Sequence, residues 1–209
     1  MFPALHAVTT DAILSRPGFL ELARRVMGVL GERGALHLRA RLVTASLMHD
    51  LAVALLEAQE STGCWVVVNE RVDIALATGA RGAQLTSRSL TPAEARIVAR
   101  DLPLGASVHS VVEAVAAAAA GADWVVAGHV YETASHPGVP GGGESLVREV
   151  AAATSIPCIA IGGIRAEHLP ALRAAGAYGV AFIRGIWSAN DAERAATDYV
   201  SAYESALDP

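Results

Sequence analysis

Short apolar runs punctuate the chain at fairly even spacing: ALHAVT (4–9), ALHLRA (35–40), CWVVVN (64–69), GAQLT (82–86), GASVHS (105–110), DWVVAGH (123–129), PCIAIGG (157–163) and GVAFIRG (179–185). They are rich in Val, Ile, Leu and Ala and show little strict alternation, as expected of parallel strands buried on both faces. Amphipathic segments with helical spacing lie between them. PGFLELARRVMGVLGERG has Pro17 near its start and Gly34 past its end, the usual asymmetry of helix punctuation. TASLMHDLAVALLEAQESTG spans 44–63, and TPAEARIVARDL opens on Thr91 with Glu94 three residues on, a capping box. SVVEAVAAAAAGAD, GESLVREVAAATS, RAEHLPALRAAGA and NDAERAATDYVSAYESAL follow, and a helical turn at 71–78 fills the remaining gap. Strand and helix alternate about eight times, which predicts an α/β fold of the (β/α)8 TIM-barrel kind. A doubly wound open sheet is the main rival. Its dinucleotide-binding version is weakened because no Gly-x-Gly-x-x-Gly follows the first run. No linker or composition shift divides residues 1–209, so one barrel domain is expected.

Composition narrows the function classes. Hydrophobic residues make up 53 % of the 209 positions and charged residues 18 %, a core-rich globular balance. The net charge of −5 gives no basic footprint for nucleic acid, and no Lys/Arg run offers a patch for anionic lipid. The apolar runs are too short or too interrupted by glycine to span a bilayer. The start, MFPALHAVTTD, lacks a basic segment followed by an apolar one, so no signal peptide is expected and a cytoplasmic protein is the default. Cys64 and Cys158 each open an apolar run. Both are expected reduced in the core, and no second sulfur or histidine stands at zinc-ligand spacing.

A barrel places side chains from the C-terminal ends of its strands around one mouth. On this reading Arg39, Asn69 and His129 end the second, third and sixth strands, and Ser107 lies near the end of the fifth. Gly162 and Gly163 end the seventh, and Arg184 and Gly185 end the eighth. Phosphates in this fold sit on the loops after strands seven and eight, held by backbone N–H groups. IGGIRAEH (161–168) offers glycines where a side chain would block approach, and IRG (183–185) adds the forked cation of Arg184. Gly162, Gly163, Ile183, Arg184 and Gly185 are therefore the predicted phosphate seat.

His129 is the candidate acid–base, because it stands at a catalytic strand end before a Gly-rich loop. A core histidine bonded to a carbonyl is the plainer alternative. Arg39 and Arg41 alternate at a strand end, so at least one should face the mouth and could pair a carboxylate or phosphate. Asn69 could orient a ligand or cap the helix at 71–78. Ser107 and Thr133 are further candidate contacts, and His136 could reach an anion from the loop. His109 stands at a strand end as a buttress.

These residues also resemble a known family. LHLRAR, VNERVDIAL, GASVHS, IPCIAIGGI and GVAFIRGI, in this order, are similar to the thiamine phosphate synthase superfamily along nearly the whole chain. Within it the synthases join a pyrimidine pyrophosphate to a thiazole phosphate with Mg2+. The resemblance implies an Asp after the strand-three Asn, a second Asp after strand four and a loop Lys. Here those places read Glu70, LTSRSL (85–90) with no acid, and His136, and Ala40 stands where the synthase pattern has Glu. One or two carboxylates usually anchor a phosphate-bound Mg2+, and Arg88 would repel it, so synthase activity is expected to be absent or very poor.

The TenI-like thiazole tautomerases offer a closer resemblance. Their loop reads Gly-His-Val-Phe-Glu-Thr before a Gly-rich turn, and this chain has Gly128-His129-Val130-Tyr131-Glu132-Thr133 and then Gly141–Gly143. The resemblance implies an isomerase of thiamine biosynthesis that aromatises a carboxythiazole phosphate tautomer without metal or cofactor. It makes His129 the proton shuttle and sets Gly163, Ile183 and Arg184 on the phosphate and Thr133 on the thiazole ring. Arg39 or Arg41 could neutralise the substrate carboxylate. A transferase and a non-catalytic regulator that binds thiazole phosphates remain the rival classes. The expected partner is a small-molecule thiazole phosphate, and the alanine-rich outer helices could support a homo-oligomer.

Overall fold

The computed structural model describes residues 2–133 and 138–207. Eight parallel strands close into a barrel in the order β1 to β8, with β1 hydrogen-bonded to β8. The strands are β1 (Leu5–Val8), β2 (Gly34–Leu38), β3 (Trp65–Asn69), β4 (Gly82–Leu85), β5 (Leu104–Val108), β6 (Trp124–Gly128), β7 (Cys158–Ile161) and β8 (Gly179–Phe182). The helices are α1 (Asp11–Leu14), α2 (Phe19–Leu30), α3 (Ala45–Thr62), α4 (Val72–Thr78), α5 (Pro92–Val98), α6 (Val111–Ala119), α7 (Gly143–Ala153), α8 (Leu169–Ala174), α9 (Arg184–Trp187) and α10 (Ala192–Ser205). Among the described residues no helix is long and apolar enough to cross a membrane.

The uniform hydrophobicity of the strands has a direct cause. Successive side chains alternate between two separate cores, one inside the barrel and one under the helices. Val8, Ala35, Val67, Trp124, Val126, Ile159 and Ala181 fill the interior. Their neighbours Ala7, Leu36, Val66, Val68, Val125, Ala127 and Ala160 pack outward against the helix layer. Both faces are dry, so neither can be polar. Trp124 is the largest interior side chain, and it fits because β5 carries glycine opposite: a Cβ on Gly105 would lie 2.2 Å from its ring. Cys64 and Cys158 are free and buried, as expected.

The helix caps follow the sequence chemistry. Thr44, Ser110 and Asp191 each accept a backbone N–H from three residues on, and Thr91 with Glu94 forms the predicted capping box. Several boundaries differ from the sequence reading. Gly34 lies past the end of α2 but does not cap it: the helix ends at Gly31, a 3₁₀ turn follows over Gly31–Arg33, and Gly34 opens β2. Arg39, His129 and Gly162 lie one residue beyond their strands and Gly163 two beyond, on the loops of the C-terminal rim. Arg184 and Gly185 do not end β8: the backbone breaks at Ile183 (φ −114°, ψ −80°), and both fall in α9.

Candidate functional site

A cavity of about 280 Å³ opens at the C-terminal rim, lined among others by His37, Arg39, Arg41, Asn69, Ser107, His129 and Thr133. A neighbouring cleft of about 670 Å³ is lined by Gly162, Gly163, Ile183, Arg184 and Gly185. Thr133, Ile161, Gly162, Ala181 and Ile183 line both, so the two spaces adjoin. The structure thus brings together every predicted site residue except His136, which lies outside the described residues.

The loop that carries His129 is held on two sides. Val130 N–H donates to the Ile161 carbonyl and Tyr131 N–H to the Gly162 carbonyl, each at 2.9 Å. From the other side, Gly142 N–H donates to the His129 carbonyl and Gly143 N–H to the Val130 carbonyl, again at 2.9 Å. The Tyr131 hydroxyl donates to Glu144 at 2.6 Å, and its ring packs on His168 with centroids 4.3 Å apart. Burial, then the bond and charge of Glu144, push the Tyr131 phenol well above its ordinary value, which keeps that donor in place.

These contacts change the meaning of the glycines. Gly162 (φ +108°) lies so close to the histidine that a Cβ there would stand 2.5 Å from His129 Cβ. A Cβ on Gly141 would stand 2.1 Å from the Val130 carbonyl oxygen. Both are small to let the loop that carries His129 pass. Gly162→Ala is expected to cost about 1–3 kcal/mol through overpacking and positive-φ strain. It should also displace the His129 ring. Chemical denaturation and a crystal structure of the variant would check both effects.

His129 Nε2 lies 3.3 Å from the Val139 carbonyl. A carbonyl only accepts, so this contact is a hydrogen bond when Nε2 carries the proton.

The cationic side of the cavity is built from the loop after β2. Asp11, the first residue of α1, accepts from the backbone N–H groups of Arg41 (2.9 Å) and Leu42 (2.7 Å). Thr9 Oγ1 accepts the Arg39 N–H at 2.9 Å. Both predicted arginines line the cavity. Burial, followed by the like charges of Arg41 and Arg88, lowers the pKa of Arg39. A ligand anion would relieve that destabilisation.

Glu70 is the acid that follows the strand-three Asn. It is bound by Arg88 at 2.6 Å and by the Thr86 hydroxyl at 2.9 Å. Burial alone would raise its pKa, but those two hydrogen bonds and the charges of Arg88 and Arg39 outweigh it and lower the value. Arg88 therefore neutralises this carboxylate as well as replacing a second one. Among the described residues no group of three or more His, Cys, Asp or Glu side chains could hold a metal ion. A pyrophosphate-bound Mg2+ usually needs one or two carboxylates, and Glu70 is here engaged by Arg88 and Thr86.

Asn69 does not cap α4, whose N-cap is Arg71; its side chain meets His37 instead. Ser107 accepts from Gln84 Nε2 at 3.1 Å, and Gln84 Oε1 accepts from the Trp124 indole at 2.9 Å. His109 bonds Glu113 at the rim. His37 and Gln84 line the cavity but were not singled out from sequence. The available signal was a polar side chain inside an apolar run at the same parity as inward-facing neighbours, Ala35 for His37 and Gly82 for Gln84.

Fold and site together define a (β/α)8 barrel with an arginine-bearing cavity and an adjoining glycine-lined cleft at its C-terminal rim. The family model described as thiamine monophosphate synthase matches residues 5–186, and the chain belongs to that family. Among curated relatives, the thiamine-phosphate synthase of Salinispora arenicola is 39 % identical over 205 residues, covering 95 % of this chain and 96 % of the relative. That of Methanoculleus marisnigri is 38 % identical over 194 residues, covering 92 % and 91 %. The solved thiamine phosphate pyrophosphorylase from Pyrococcus furiosus has a TM-score of 0.86 at 29 % identity, covering 98 % of this chain and 96 % of that one.

Proposed function

We propose that this member of the thiamine phosphate synthase family is a thiazole tautomerase. The observation that carries this reading is His129, fixed at the cavity wall by the bonds on both sides of its loop. In the proposed reaction one ring nitrogen of its imidazole takes the proton from ring carbon 2 of the carboxythiazole phosphate tautomer. The resulting N–H returns that proton to the exocyclic carbon, so base and acid are one group and no net proton is lost. Aromatisation supplies the driving force, and the protein has only to hold the two carbons within reach of one nitrogen. Arg39 faces the substrate carboxylate, Thr133 the ring, and Gly163, Ile183 and Arg184 the phosphate.

A second reading, thiamine phosphate synthase, is favoured by the names of the curated relatives. Against it stands Glu70, already held by Arg88 and Thr86 where a metal-binding acid would be needed. Two parallel assays separate the readings. With the thiazole tautomer supplied, the protein is expected to accelerate formation of 2-carboxythiazole ethyl phosphate, with or without chelator. With pyrimidine pyrophosphate, thiazole phosphate and Mg2+, no thiamine phosphate is expected above the protein-free background. The reverse pair of results would make the chain a transferase.

A further inference from the structure

Two buried histidines beneath the cavity form a hydrogen-bonded chain with Asn69. His6 and His37 are each about 1 % exposed, and Asn69 is 7 % exposed. His6 Nε2 lies 2.9 Å from the Pro3 carbonyl, His6 Nδ1 lies 2.8 Å from His37 Nε2, and His37 Nδ1 lies 3.1 Å from the Asn69 amide oxygen.

One end of this chain sets its direction. The Pro3 carbonyl can only accept, so His6 Nε2 carries a proton. If His6 is neutral its Nδ1 is then a lone pair, and His37 Nε2–H must donate to it. If His37 is neutral too, its Nδ1 is also a lone pair and requires a donor from Asn69. The oxygen and nitrogen of an asparagine amide are told apart by the network around them. Here the network demands that the NH2 face His37. The opposite polarity would set two lone pairs against each other at Pro3, and a doubly protonated ring would bury an uncompensated charge.

We propose that the His6–His37 pair is a positioning relay that turns Asn69 so that its carbonyl oxygen faces the cavity. The outward atom of the amide has no protein partner among the described contacts, and Asn69 lines the cavity wall. At this point the site offers an acceptor. It takes a ligand or water N–H or O–H and repels a ligand carboxylate or phosphate oxygen, which leaves anions to the Arg39 side. The consequence for the ligand rests on the cavity being the substrate seat proposed above, whereas the polarity rests on the chain of contacts alone.

Nitrogen-15 NMR of the histidine rings in the ligand-free protein at neutral pH tests this. Both His6 and His37 are expected to show a protonated, pyrrole-type Nε2 and an unprotonated, pyridine-type Nδ1. A scalar coupling across the hydrogen bond between the rings should assign the pair. Asn69→Asp replaces the donor with an acceptor and is expected to place a proton on His37 Nδ1, shifting that nitrogen to the pyrrole type. A wild-type His37 with protonated Nδ1, or an Asn69→Asp spectrum with an unprotonated Nδ1, would overturn the proposal. Neither measurement needs substrate, so this result and the assays above fail independently.

Discussion

Replacing His129 with Asn is expected to lower the rate of thiazole aromatisation by about 10²–10⁴-fold, the usual contribution of a positioned general acid–base. Asparagine keeps a planar polar side chain but cannot accept and return a proton at a carbon. The loop should survive the change, because its bonds at Val130, Tyr131, Gly142 and Gly143 are made by backbone atoms. Affinity for 2-carboxythiazole ethyl phosphate should therefore stay within a few fold of the native protein, read by calorimetry. A variant that isomerises at the native rate would remove His129 from the chemistry and with it the proposed function. A binding protein that acts by regulation would keep its effect in the same variant, so one substitution separates the isomerase from the non-catalytic alternative.

The barrel was legible because all its strands are buried on both faces. Residues such as Val66, Val67 and Val68 face opposite cores, yet both cores are apolar, so the whole run is hydrophobic and stands out from the helices between. Strand ends were less legible. Ile183 looks like strand sequence, and only its φ and ψ show where the chain turns into α9. The position of His129 followed from the barrel rhythm, but the reason for Gly162 did not. Sequence shows that a glycine permits close approach, whereas only the structure shows that the approaching group is His129 itself. The partner of Asn69 lay out of reach for a related cause. His37 is 32 residues away in the chain, and the two meet only because β2 and β3 pair side by side. Likewise, Glu70 and Arg88 read separately as a retained acid and a misplaced cation. Their ion pair, which argues against a metal, exists only in the fold.

Acid is expected to destabilise the protein well above the range where carboxylates titrate, and the cause is the buried histidine pair. Burial lowers the pKa of His6 from 6.5 to about 4, partly opposed by its bond to the Pro3 carbonyl. Burial, and then the neighbouring His6, also lowers His37 well below its ordinary value. Both rings are neutral in the folded chain. In the unfolded chain they titrate freely, so below pH 6.5 the unfolded state binds more protons and stability falls with pH. For His6 alone the loss is about 2 kcal/mol by pH 5 and about 3 kcal/mol at pH 4, where it levels off. Urea unfolding at pH 7.5 and pH 5 should show the midpoint dropping with little change in slope. The low-pKa acids Glu70 and Asp11 add to the fall only at lower pH, since stability from a depressed carboxylate is lost as pH falls below its unfolded value. His6→Gln removes one titrating ring and should flatten the pH dependence between 7.5 and 5 even where it lowers stability overall. Equal native midpoints at the two pH values would show that the pair is not neutral and buried as the fold requires.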